Sequence, residues 1–152
     1  MFNEIANHIE RVYNVPILLT FSEKTCLRMN RENTKDSVIY FNHLELSRIG
    51  IPNYFMHIVL LHELGHYLDI TRNELSWKTM KPTNVLLQEY FSTGLIPEQI
   101  KLYELAAWKI AIDELFPKFN IELTQEIKNI INLTLTMYQV DWNRIEELFK
   151  VG

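Results

Sequence analysis

The sequence predicts an α+β fold: a small sheet of about three strands, a long apolar helix, and a helical C-terminal half. Three observations predict it. Strand-length apolar runs at Ile17–Phe21, Thr25–Met29 and Ser37–Phe41 are separated by polar segments. A helix-length apolar run follows from Phe55 to Ile70, and helical periodicity broken by Pro and Gly occupies most of the remainder. Strands grouped ahead of helices, without β–α alternation, define α+β. The 152 residues suit one domain, residues 1–152, around one core.

Phe2, Ile5, Ile9 and Val12 recur at helical spacing, which predicts an amphipathic helix over 2–13, ended before Pro16. The runs 17–21 and 25–29 flank polar Ser22-Glu-Lys24 as in a hairpin, and 37–41 supplies a third strand. A short turn over 44–49 and the breakers Gly50 and Pro52 lead into the long helix at about 53–71. Periodicity is lost from Arg72 to Asn84, with Pro82 as a break, and Val85–Phe91 reads as a short helix closed by Ser92-Thr-Gly94. Pro97 suits the first turn of a helix that runs to about Phe116 and is stopped by Pro117. Two further helices are expected at about 124–139 and 141–150, the second with Asp141 as N-cap.

Charge and composition narrow the function classes. The chain is 47% hydrophobic and 22% charged, with 15 basic residues against 19 acidic ones, a formal net charge of -4. The Lys and Arg residues form no run or stripe, which argues against nucleic acid as a partner. The N-terminal residues lack the basic and apolar regions of a signal peptide, and no stretch approaches the ~20 apolar residues of a membrane span. Cys26 is the single cysteine, read as a small core hydrophobe; no internal disulfide is available. A cytoplasmic protein without membrane contact is therefore expected. Abundant Ile, Asn and Lys fit an AT-rich bacterial or phage genome.

The chemistry is concentrated in His62-Glu-Leu-Gly-His66 on the long apolar helix. Residues four apart project from one helical face, so both imidazoles can bind one metal, while Glu63 is offset toward a water that the metal activates. The bare pattern occurs by accident in roughly one chain of this length in 200. Its setting adds weight, because two histidines and a glutamate on an apolar helix need partners, and a metal satisfies all three. Gly65 costs about 1 kcal/mol against Ala in a helix interior, so a close backbone approach by a neighbouring strand or substrate is expected there. The competing reading is a structural helix whose histidines bond to buried carbonyls.

A catalytic zinc usually takes three protein ligands and leaves a position for water. Asp69 and Arg72 stand where an extended His-Glu-x-x-His-x-x-Gly-x-x-His pattern needs Gly and His, so that class is excluded. No histidine follows His66, which leaves a carboxylate or an upstream histidine. Glu104, 38 positions beyond His66, is favoured, because small Ala107 one turn on would let its helix pack closely against the motif helix. Glu89 is next. Asp69 lies three residues past His66 and would either accept from a ligand imidazole or stand exposed near the helix end. His57 lies off the ligand face, and His8 and His43 carry no spacing argument.

With these residues the chain resembles the glutamate-type zincins, and most nearly the ImmA/IrrE family of small intracellular bacterial and phage metallopeptidases. The resemblance rests on the strand Val38-Ile-Tyr-Phe41, the approach Ile58-Val-Leu-Leu61, the motif His62–His66 and the pattern Glu104-x-x-Ala107-x-x-x-Ala111. It covers roughly 38–114, and the first motif is far more specific than the last. The family's usual Met-Pro continuation is replaced here by Ile110-Ala-Ile-Asp-Glu-Leu-Phe-Pro117. The resemblance implies a zincin-like fold, one zinc per chain held by His62, His66 and Glu104, and Glu63 as general base. It also implies cleavage of a regulatory protein or peptide.

Several expectations remain open at this level. An oxyanion-stabilising donor among Tyr40, Tyr67, Tyr90, Tyr103 and His43 cannot be ranked. If Ser37–Phe41 formed the sheet edge above the cleft, a substrate could add to it as a strand. The apolar positions Ile127, Ile130, Ile131 and Leu135 are expected to pack on the domain rather than to form a dimer surface. The alternative function is a binding module of the same fold that acts on a repressor or host protein without proteolysis, and an effector acting on a host protein is a third.

Overall fold

The computed structural model describes residues 1–30, 32–74 and 83–150. Among those residues it is an α+β arrangement of seven helices and a three-stranded mixed sheet. Helix α1, Phe2–His8, continues as a wider π-type turn over Ile9–Tyr13 and ends at Asn14 in the left-handed region, φ 56°. The predicted first helix is therefore present with its end at the expected place.

Strands β1 (Ile17–Leu19), β2 (Cys26–Met29) and β3 (Ser37–Phe41) follow. The expected hairpin between the first two is absent. β3 lies at the centre, parallel to β1 and antiparallel to β2, with Ile17 opposite Ile39 and Leu27 opposite the same residue. β3 is thus not the edge strand that the sequence suggested. The reason is burial: Ser37, Ile39 and Phe41 are all buried, whereas β1 and β2 are only half covered. The strand that hides most apolar surface takes the middle, where sheet and helices cover it.

The chain crosses the end of β3 between its two neighbours, and Asn42 holds the crossing. Its amide donates to the Glu23 carbonyl at 2.8 Å, and its backbone N–H donates to Thr25 Oγ1 at 2.9 Å. Its Oδ1 accepts from Glu45 N at 3.1 Å, capping α2, His43–Arg48. What was expected to be a turn over 44–49 is this short helix.

After a 3₁₀ turn at Asn53–Phe55 comes α3, Met56–Arg72, the helix of the motif. From Met56 to Ile70 only His57 and Asp69 are not buried. A helix apolar all round belongs at the centre of a fold, and α3 packs on α1, β2, β3 and, most extensively, α5. Residues 75–82, most of the aperiodic stretch that follows Arg72, lie outside the described residues.

α4, Thr83–Thr93, ends at Gly94 in the left-handed region, as its Ser-Thr-Gly signal predicts. α5, Glu98–Ile110, starts after Pro97 and runs through a second π-type turn over Ala111–Leu115. The chain stays helical to Lys118, so the run ends one residue past Pro117, within two residues of the expected Phe116. α6, Gln125–Thr136, begins at Thr124, whose hydroxyl accepts from Ile127 N at 3.3 Å. α7, Trp142–Lys150, follows Asp141, which accepts from Asn143 N at 3.0 Å as its predicted cap role requires.

One cluster of buried side chains runs from Ile5 and Ile9 through Ile39, Phe41 and the α3 leucines to Trp108, Ile131 and Leu135. Ile127, Ile130 and Ile131 of α6 are part of it, as expected. Among the described residues no helix is long and apolar enough to cross a membrane.

Candidate metal centre

The site is built where α3 crosses α5, and the crossing depends on Gly65. A Cβ placed on Gly65 would lie 2.3 Å from the Ala107 carbonyl oxygen. Only glycine lets the two backbones come this close, which accounts for the glycine within the motif and for small Ala107 opposite. The expected close approach is therefore made by the neighbouring helix rather than by a strand or substrate.

This proximity sets the Glu104 carboxylate against both histidines. Glu104 Oε2 is 3.0 Å from His62 Nε2 and 3.2 Å from His66 Nε2. All three residues are buried, as is Glu63, with exposures between 3% and 6%. The His66 contact is an aligned hydrogen bond. The His62 contact is as short but misaligned, so that His62 Nε2 has no hydrogen-bond partner among the described residues. A buried nitrogen that close to a carboxylate oxygen yet not aimed at it fits two donors directed at a common third point. Donors around a tetrahedral zinc lie about 3.3 Å apart, close to both separations.

His62, Glu63 and His66 also form a buried group whose ligand atoms lie within 4.8 Å of one another and could hold a metal ion. Glu63 Oε1 is 3.5 Å from His62 Nδ1, the nitrogen opposite the one that faces Glu104. The two carboxylates therefore meet His62 on different nitrogens. Glu104, with contacts of 3.0 and 3.2 Å to both Nε2 atoms, is the better partner for the histidine pair.

The electrostatics express the same coupling. Burial alone would lower the His62 pKa, but the Glu104 contact and the nearby Glu63 carboxylate outweigh it and raise it to about 9. Burial would raise Glu104, yet the His66 imidazole, hydrogen-bonded to it, and the close His62 imidazole hold it well below the usual carboxylate range.

Two aromatic rings close the site, both from α5. The Trp108 indole stacks on His62 at 4.3 Å and 19°, and the Tyr103 ring stacks on His66 at 4.0 Å and 27°. Tyr138, from the turn after α6, also belongs to these surroundings: burial, then the Glu104 and Glu63 carboxylates, push its phenol pKa upward. Gln139 fastens that turn to the start of α5, accepting from Ile96 N at 2.7 Å and donating to the Gly94 carbonyl at 3.1 Å.

Of the residues singled out in the sequence, His62, Glu63, His66 and Glu104 are brought together. Glu89, the next choice, is on α4. Asp69 accepts from Asn73 at 3.1 Å at the end of α3, and His66 Nδ1 has no partner among the described residues. His43 packs against Phe2 and Phe41, Tyr67 against Tyr13, and Tyr40 beneath Arg28. Trp108 and Tyr138 were not anticipated as neighbours of the site. Trp108 carried a usable signal, since four residues past Glu104 it must share its helical face. Tyr138 carried none.

Compared with protein-family models, with curated proteins and with solved structures, the chain finds no match in any of the three.

Proposed function

We propose that the protein is a zinc-dependent peptidase of zincin type, with His62, His66 and Glu104 as metal ligands and Glu63 as general base. The observation that carries this reading is the single Glu104 oxygen within 3.2 Å of both histidine Nε2 atoms at a buried helix crossing. Two imidazoles and one carboxylate suit zinc, and the ion when bound supplies an acidified water and polarises a peptide carbonyl. Glu63, adjacent in sequence but outside the Nε2 cluster, would act as the general base beside that position and return the proton to the leaving amine. The likeness to the ImmA/IrrE metallopeptidases seen in the motifs agrees with this division of roles.

A protein or peptide substrate would enter as an extended strand. Of the two edge strands among the described residues, β2 suits it, since β2 packs on α3 and is near enough to Glu63 that this carboxylate, after burial, raises the Cys26 thiol pKa. Backbone N-methylation of a cleaved peptide should then abolish its cleavage.

The reading is tested by metal analysis of untagged wild type, His62→Ala, Glu104→Ala and Glu63→Gln. About one zinc per wild-type chain is expected, lost in the first variant, weakened in the second and kept in the third. Glu63→Gln should lose peptide hydrolysis by about 10²–10⁴-fold while keeping its metal. A wild-type chain that takes up no zinc when offered it would overturn the proposal.

One observation favours a second reading, a binding module without proteolysis. The four residues are only 3–6% exposed, which leaves a peptide bond little access to their ligand atoms. A cellular effect that survives Glu63→Gln would select this reading over the first.

A further inference from the structure

We infer that Tyr103 and Trp108 are positioning residues that fix the planes of the two histidine rings by stacking. The inference rests on the metal-site reading above and adds residues to it. In most metal sites a ligand imidazole is oriented by a hydrogen bond from its far ring nitrogen to a carboxylate or carbonyl. Among the described residues His66 lacks that bond, and His62 has only a long carboxylate contact in its place. His66 Nδ1 has no partner among the described residues, and His62 Nδ1 has Glu63 Oε1 at 3.5 Å, too long to orient a ring.

Each ring instead lies flat against an aromatic face: His62 on Trp108 at 4.3 Å and His66 on Tyr103 at 4.0 Å, tilted by only 19° and 27°. The lone pair of an imidazole nitrogen lies in the ring plane. A stack that stops rotation of the ring therefore determines where Nε2 points. The face of an indole or phenol also favours a ring made electron-poor by a cation, which is the state of an imidazole that ligates a metal.

Sequence and packing make the arrangement a unit. Tyr103 precedes Glu104 and Trp108 follows it by one helical turn, so α5 carries the ligand carboxylate and both walls together. The Gly65–Ala107 contact then sets the distance of the whole unit from α3. Trp108 is 1% exposed and cannot swing away; Tyr103 is partly covered and can be changed with less disturbance.

The experiment measures Co(II) affinity by chelator competition, together with the Co(II) absorption spectrum, on wild type, Tyr103→Leu and Tyr103→Phe after their folding is verified by circular dichroism. Tyr103→Leu should weaken Co(II) binding by about tenfold or more and change the spectrum, while Tyr103→Phe, which keeps the ring, should match wild type. Trp108→Met against Trp108→Phe is an independent pair should Tyr103→Leu not fold. Wild-type affinity and spectrum in the Leu and Met variants would overturn the inference and leave the metal reading standing. Equal weakening in Tyr103→Leu and Tyr103→Phe would overturn it too, since the hydroxyl and not the face would then matter. A wild-type chain that binds no Co(II) would remove the metal reading itself, and the inference with it.

Discussion

At the scale of single residues, Gly65 shows how two opposed effects are decided by magnitude. Alanine would improve the helix by about 1 kcal/mol. The added Cβ, however, would meet the Ala107 carbonyl oxygen at 2.3 Å, a backbone atom that cannot rotate away. Overpacking of this kind costs about 1–3 kcal/mol or more, so Gly65→Ala should destabilise the protein in urea denaturation and weaken metal binding by moving α5 outward. A variant as stable as wild type would show that the helices separate freely. His43 supports a pH prediction away from the site. Its imidazole packs against Phe2 and Phe41, and burial lowers its pKa from the ordinary 6.5. A base whose pKa is lower folded than unfolded leaves the unfolded state binding more protons, so its contribution to stability is present above pH 6.5 and lost as pH falls below that value. His43→Gln should flatten part of the decline in stability between about pH 7 and pH 5, measured with chelator present so that metal loss does not contribute. The residues legible at this scale were those whose chemistry is local. His62, Glu63 and His66 are defined by spacing on one helix, and Glu104 by the small residue beside it.

At the scale of elements, the helices followed the sequence closely and the sheet did not. Caps and breakers act within a few residues, so Thr124, Asp141, Gly94 and Pro97 mark helix ends in the chain as they do in the fold. Strand partners depend on which strand buries most, and polar Ser22–Lys24, which looked like a hairpin turn, is instead the crossing from β1 over the end of β3 to β2. Asn42 is where that crossing is tied, since it caps α2 and bonds to both Glu23 and Thr25. Asn42→Ala removes a cap and leaves the part-buried Glu23 carbonyl without its donor, with an expected loss of about 1–2 kcal/mol in equilibrium unfolding. Asn42→Asp keeps the cap acceptor but loses the donor to Glu23, and should fall between the two. An alanine variant indistinguishable from wild type would mean that the crossing is held by the strands alone.

For the whole molecule, the metal reading makes stability depend on the ion. The proposed ligands come from α3 and α5, the most extensively packed pair of elements, so an ion held between them stabilises the folded state and not the unfolded chain. At a free zinc concentration about 100 times the dissociation constant this linkage is worth about 2.7 kcal/mol. For a protein of this size that corresponds to a rise of about 5–10 °C in Tm. Scanning calorimetry with and without chelator should show the shift in wild type and in Glu63→Gln, a smaller one in Glu104→Ala and none in His62→Ala. A Tm independent of chelator in wild type would leave the His62–Glu104–His66 contacts as an ion-paired packing element. The α+β order, the motif helix and the residues that the metal reading uses were determined by the sequence itself, because helical faces repeat within a short window and side chains able to ligate a metal are recognisable by type. The order of strands, the contact of Gly65 with Ala107, the stacking of Trp108 and Tyr103 and the approach of Tyr138 were decided only by tertiary structure. Each is a meeting of surfaces that are far apart along the chain or on different elements, and the burial that selects it belongs to the assembled core rather than to any local pattern.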